Sequence, residues 1–132
     1  MDQRQHYSLE RFLGKIKKDQ QILAVFLFGS AARKESHLNS DIDICLVLDR
    51  GKLTQKKISA LRIKYLSSFD FDIQIFQNLP IYIKQRILKE GKVLFCRDDD
   101  RLYDVAFAVI REYSDFEPFY LEYLKEVLHA RS

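Results

Sequence analysis

Two apolar runs of strand length, Ala24-Val25-Phe26-Leu27-Phe28 and Ile44-Cys45-Leu46-Val47-Leu48, bracket a polar stretch that opens with Gly29-Ser30 and closes with Ser40-Asp41-Ile42-Asp43. The first run has no polar alternation and reads as a fully buried strand. Gly29-Ser30 ends it with a tight turn in which backbone can come close to a ligand. Ala31-Ala32-Arg33 reads as a short helical segment. Successive side chains of a strand point to opposite faces. Asp41 and Asp43 therefore share one face at the head of the second run, with Ile42, Ile44, Leu46 and Leu48 on the other. Two carboxylates side by side at the edge of an apolar strand repel each other and cost desolvation. A divalent cation removes that cost. An oxygen-only donor set suits Mg²⁺ or Mn²⁺, which keep waters and bind substrate phosphates as well.

The rest of the chain supplies helices around these strands. Ser8 is placed to cap a helix whose apolar face is Leu9, Phe12, Leu13 and Ile16, with Lys15, Lys17 and Lys18 at its negative end. After a turn at Asp49-Arg50-Gly51, a second helix spans about 53–66, with Leu53, Ile58, Leu61 and Tyr65 inward and a solvated basic side of Lys52, Lys56, Lys57, Arg62 and Lys64. Residues 69–76 alternate cleanly: Phe69, Phe71, Ile73 and Ile75 on one face, Asp70, Asp72, Gln74 and Phe76 on the other. Asn78 and Pro80 open a third helix with Ile83, Ile87 and Leu88 inward, Gly91 ends it, and Val93-Leu94-Phe95-Cys96 is a short strand. Asp98-Asp99-Asp100 reads as an N-cap with an acidic first turn rather than a metal site. From 102 to 128 the pattern is helical, with a break or bend expected near Pro118. Its aromatics, Tyr103, Phe107, Tyr113, Phe116, Phe119, Tyr120 and Tyr123, exceed what one face needs. Some are expected to cover the sheet and the others to form an exposed patch for a partner or a second copy.

Composition narrows the class. A chain of 132 residues suits one domain, 1–132, with a sizeable core. A net charge of +3 is too mild to argue a dedicated nucleic-acid binder. Cys45 and Cys96 sit inside apolar runs and read as reduced core thiols. No apolar run approaches the ~20 residues of a membrane span, and the first residues lack the apolar stretch of a signal peptide. The expectation is a cytoplasmic protein. His6, His37 and His129 are scattered and have no metal-ligand spacing.

Gly29-Ser30, the ten-residue spacer and Asp41-x-Asp43, with Ala32-Arg33 and Ser40 in place, resemble the active-site motif of the DNA polymerase β-type nucleotidyltransferases. Within that superfamily the chain most resembles the minimal nucleotidyltransferases (MNT), often the antitoxin half of HEPN/MNT toxin–antitoxin pairs. The similarity continues to about residue 96. It implies an α/β (α+β) fold: a small mixed sheet of about four strands flanked by helices, with a catalytic core at about 7–96 and a C-terminal helical segment at about 98–130. It implies a third carboxylate from a neighbouring strand, for which Asp72 is the best match and Asp70 the fallback. Asp41, Asp43 and Asp72 then hold two Mg²⁺ ions, or Mn²⁺, and Gly29, Ser30, Arg33 and Ser40 hold the nucleotide phosphates or support their loop. The implied reaction moves AMP from ATP to a tyrosine of a cognate HEPN-type RNase toxin. Two alternatives stand beside it: an antitoxin that acts by binding alone through the aromatic C-terminal helix, and a transferase for a small molecule of aminoglycoside type. A homodimer through that helix is a further expectation, and direct nucleic-acid binding is not expected. One position departs from the family pattern, Lys34 where Gly is common after the Ala-Arg pair.

Overall fold

The computed structural model describes residues 2–29, 42–49 and 53–130. The elements are α1 (Gln3–Lys17), β1 (Ile22–Phe28), β2 (Ile42–Leu48), α2 (Gln55–Leu66), β3 (Phe71–Ile75), a 3₁₀ turn (Phe76–Asn78), α3 (Ile81–Glu90), β4 (Lys92–Cys96) and α4 (Asp99–Ala130). The described strands form one mixed sheet in the order β3-β2-β1-β4. β1 is antiparallel to β2 and to β4, while β2 and β3 are parallel. A parallel pair needs a long crossover, and α2 supplies it. This is the mixed sheet with flanking helices and a C-terminal helix that the sequence leads one to expect.

Both sheet faces are covered, which is why β1 and β2 lack polar alternation. On one face Val25, Leu27, Ile42, Ile44, Leu46, Ile73 and Ile75 pack against Leu9, Phe12 and Ile16 of α1 and Ile58, Leu61 and Tyr65 of α2. Phe12 is fully buried and meets the rings of Tyr65, Phe69 and Phe71 edge-on at 5.6, 5.2 and 5.5 Å, a favourable aromatic geometry. On the other face Ala24, Phe26, Cys45, Val47 and Phe76 meet Ile87 of α3 and Val109 of α4.

The helices differ from the sequence reading in four places. α1 starts at Gln3, capped by Asp2, and Ser8 lies inside it. The Asp2 carboxylate accepts from the Gln5 N–H while the Gln5 side chain accepts from the Asp2 N–H, a reciprocal cap that starts the helix ahead of its core-facing residues. α4 runs uninterrupted through Pro118. Pro118 and Ser114 are exposed, so the carbonyl that loses its partner faces water instead of the core. The α4 side chains that cover the sheet are aliphatic, Leu102, Val105 and Val109. The aromatics do not; Tyr120 instead stacks on Tyr82 of α3 at 5.7 Å. Finally, Arg62 is not simply a member of a solvated face. Its Nε donates to the Ile73 carbonyl of the edge strand β3 at 2.7 Å, blunting an open sheet edge. No helix among the described residues is long and apolar enough to cross a membrane.

The sheet is clamped at one end. The Arg97 guanidinium donates to the carbonyls of Ile16, Asp19 and Ile22 at 3.2, 3.0 and 3.0 Å, closing the C-terminal end of α1 against the start of β1. Arg101 binds the Asp49 carboxylate at 2.8 Å and ties α4 to the end of β2. The Tyr65 hydroxyl donates to Asp19 at 2.6 Å. Burial works against the ionised form of Asp19, but hydrogen bonds from Tyr65 and Gln21 and the Lys64 charge outweigh it and hold the carboxyl below its ordinary value.

Tyr65→Phe should therefore lower the unfolding free energy at pH 7 by about 1.5 kcal/mol, the low end for a hydrogen bond to a charged group. A depressed folded pKa stabilises above the unfolded value and loses that effect as pH falls through the folded one. Urea melts of wild type and variant should thus converge below about pH 4.

Candidate active site at the head of β2

β2 and β3 are parallel and in register, so Asp43 stands directly opposite Asp72. On the other side of β2, Asp43 is paired with Phe28. Register partners point to the same face, so Asp72, Asp43 and Phe28 form a row across three strands. The row continues the face of Cys45, Val47 and Phe26, one residue beyond the point where burial ends. Asp43 is half-buried and Asp72 exposed, while Ile44 and Cys45 are fully excluded from water. Burial pushes the Cys45 thiol up to about 12, so it packs as a small apolar group and is no nucleophile near neutral pH.

Gly29 follows Phe28 and touches the same carboxylate. Its φ is 73°, in the left-handed region that glycine alone enters freely. A β-carbon built there would collide with Asp43 Oδ2. The residue is thus required twice, once for its backbone angle and once for the space its missing side chain leaves to the acid. Asp72 is held from its own strand: Gln74 Nε2 donates to Asp72 Oδ1 at 3.2 Å.

Of the residues singled out in the sequence, the fold brings Gly29, Asp43 and Asp72 together. Asp70 precedes β3 and is exposed, which leaves Asp72 as the acid in register. Ser30, Arg33, Lys34, His37, Ser40 and Asp41 lie outside the described residues. Among the described residues no three ligand-type side chains cluster; Asp43 and Asp72 supply two carboxylates on one face. An oxygen pair at a half-buried sheet end, with glycine backbone against one member, fits a hard divalent cation.

Sequence reasoning missed two features of this region. The sequence marks Gln74 only as part of a polar strand face, whereas its side-chain amide supports Asp72; the two-residue spacing on one face is the available signal. The second is a cavity of about 210 Å³ between the end of β1 and α3, lined by Phe28, Gly29, Ile83, Arg86, Ile87 and Glu90. It could not be anticipated, because it depends on how α3 packs over β1.

Gly29→Ala should destabilise the fold by more than the ~1 kcal/mol of its backbone strain alone, because the added methyl also displaces Asp43. Combining it with Asp43→Ala should recover part of the loss. A double-mutant cycle by chemical denaturation checks this, and strict additivity would contradict the close approach.

The sequence profile described as "Polymerase beta, Nucleotidyltransferase" matches residues 12–100. A putative protein adenylyltransferase of Methanocaldococcus jannaschii is 43% identical over 75 residues, 56% of each chain. The protein adenylyltransferase MntA of Shewanella oneidensis is 32% identical over 89 residues, 61% of this chain and 60% of its own. The chain thus matches about three-fifths of the length of these curated relatives. Its fold is that of an antitoxin–toxin crystal structure with AMP-PNP, at TM-score 0.68 and 24% identity over 90% of this chain and 98% of the other. It is equally that of a chain from the complex of a tri-AMPylated Shewanella oneidensis HEPN toxin with its MNT antitoxin, at TM-score 0.66 and 20% identity over 94% and 98%. With the profile covering most of the chain, the protein belongs to the polymerase beta nucleotidyltransferase family.

Proposed function

We propose that this chain is a metal-dependent nucleotidyltransferase that transfers AMP from ATP to a hydroxyl of a partner protein, a tyrosine of a HEPN-type toxin, and so acts as an antitoxin. The observation that carries the reading is the in-register pair Asp43 and Asp72 on one sheet face, with the Gly29 backbone against Asp43. The names of the relatives, protein adenylyltransferases, supply the reaction and the acceptor class.

On this reading Asp41, Asp43 and Asp72 would hold Mg²⁺ or Mn²⁺, as two ions. When bound, a divalent cation neutralises triphosphate charge and lowers the pKa of an attacking hydroxyl. Gly29 and Ser30 present backbone N–H groups to the phosphates, and Arg33 and Ser40 add a charge and a hydroxyl beside them. Asp72, exposed and steadied by Gln74, accepts the proton of the acceptor hydroxyl. The acceptor oxygen bonds to the α-phosphorus, the bond from that phosphorus to the β-phosphate bridge oxygen breaks, and pyrophosphate leaves. Asp72 then returns its proton to solvent.

α4 is the surface offered to the partner. Phe119, Tyr103 and Phe107 are 76, 66 and 64% exposed, and the helix carries eight acidic against three basic residues in a chain that is net positive. A ribonuclease that handles a polyanion needs basic surface, which this helix complements. The same exposed residues would serve a second copy of this chain in a homodimer.

Asp43→Asn and Asp72→Asn should each reduce Mg²⁺-dependent transfer of labelled AMP to the purified partner by at least about 100-fold, with unchanged circular dichroism. Intact toxin neutralisation by these variants would instead establish an antitoxin that works by binding alone.

A further inference from the structure

Asp43 and Asp72 are held unequally. β2 lies between β3 and β1, so the backbone that carries Asp43 is paired to a strand on either side. β3 is the last strand of the described sheet, and its ladder there is with β2 alone. Ile73 and Ile75 are buried and anchor one face of β3, but a strand paired on one side opens more readily than a central one. A proton acceptor must stand within about 2.6–3.2 Å of its hydroxyl, and a misplacement of about 1 Å can cost on the order of 100-fold in rate. Asp72, which takes the acceptor's proton on the reading above, thus stands on the less supported of the two strands.

Two contacts meet that need, one on the backbone and one on the side chain. Arg62 belongs to α2, which is fixed to the sheet by the buried Ile58, Leu61 and Tyr65. From that helix its Nε donates to the Ile73 carbonyl at 2.7 Å, so the edge of β3 is gripped at the residue next to Asp72. On the face of the acids, Gln74 Nε2 donates to Asp72 Oδ1 at 3.2 Å. That bond takes up one carboxylate oxygen and restricts the rotation of the group, which leaves the proton to Oδ2. Ile73 sits at the centre of both contacts. Its carbonyl is bound from α2, and the side chains on either side of it are bound to each other. The helix that packs on one face of the sheet thereby bears on an acid that points to the other.

Resting on the transferase reading above, we propose that Arg62 and Gln74 are positioning residues for Asp72: Arg62 fixes the edge strand beneath it, and Gln74 fixes the orientation of its carboxylate. Both act through Asp72 and touch neither nucleotide nor acceptor. Their loss should therefore slow the proton transfer and leave nucleotide binding alone.

Substitutions of matched length separate a donor from packing. Glutamine carries an amide nitrogen as many bonds from the backbone as the arginine Nε, whereas methionine has a similar length and no donor. Amide hydrogen exchange of the full chain, followed by NMR without nucleotide, metal or partner, is the first measurement. The β3 amides bonded to β2 should exchange roughly tenfold faster in Arg62→Met, the lower range for a hydrogen bond from a charged group. They should return to near the wild-type rate in Arg62→Gln, with β1 unchanged in both. Steady-state transfer of labelled AMP to the purified partner is the second. Arg62→Met and Gln74→Met should each lower kcat about tenfold with the KM for ATP unchanged, and Arg62→Gln should restore it. In an Asp72→Ala background neither Met substitution should cost anything further. An unchanged kcat in either Met variant removes that residue from the inference. Unchanged kcat in both, or equal losses with and without the Asp72 carboxylate, overturns it while wild-type activity upholds the transferase reading. Absence of transfer by wild type removes both.

Discussion

A carboxylate cannot remain charged on a sheet that is covered on both faces unless the cover stops. Ile44, Cys45, Leu46 and Val47 are fully shielded from water, and an ionised group among them would cost several kcal/mol. No charged side chain among the described residues is buried. Asp43 stands one residue before that shielded run, half-buried, where apolar packing gives way to solvent. Every other feature of the site follows from having to place negative charge at that lip.

Two backbone facts make the place usable. The parallel pairing of β2 and β3 sets Asp72 opposite Asp43; a slip of one residue would send Asp72 into the apolar layer against α1 and α2. The positive φ of Gly29 and its missing β-carbon then let its backbone lie against the Asp43 carboxylate. Backbone, acid and neighbouring acid are thus positioned by strands and not by long side chains, which is how a rigid scaffold holds polar groups near each other without loss of order.

The opposite end of the sheet is held by several polar side-chain contacts among the described residues. Arg97 gathers carbonyls from the end of α1 and the start of β1, Tyr65 reaches Asp19, and Arg101 reaches Asp49. Gln77 both donates to and accepts from the Leu48 backbone at 3.0 and 3.1 Å, completing the ladder where β2 ends. These contacts secure the ends of β1 and β2 that lie away from the acids. Charge is divided in a similar way. The acidic, aromatic α4 extends from a body that carries the positive excess.

How much of this could be read from residue order follows from which interactions are local. The alternation around Asp43 and Asp72, the glycine turn after Phe28 and the ends of α3 at Pro80 and Gly91 are written in neighbouring residues, and the structure has them where the sequence leads one to expect. The start of α1 was missed because its first turn is held by Asp2 and Gln5 and touches no core. The aromatic α4 misled because the residues that face the sheet, Leu102, Val105 and Val109, are the less conspicuous members of that helix. By itself the sequence determined that Asp43 lies on the face away from Ile42 and Ile44, and Asp72 on the face away from Phe71 and Ile73, since a strand alternates its side chains between faces. Only the tertiary structure decided that Asp72 meets Asp43, that Gln74 steadies it, and that α3 roofs a cavity beside them. Register between strands and the packing of a helix across a sheet arise from contacts between residues far apart in the chain, which no local pattern encodes.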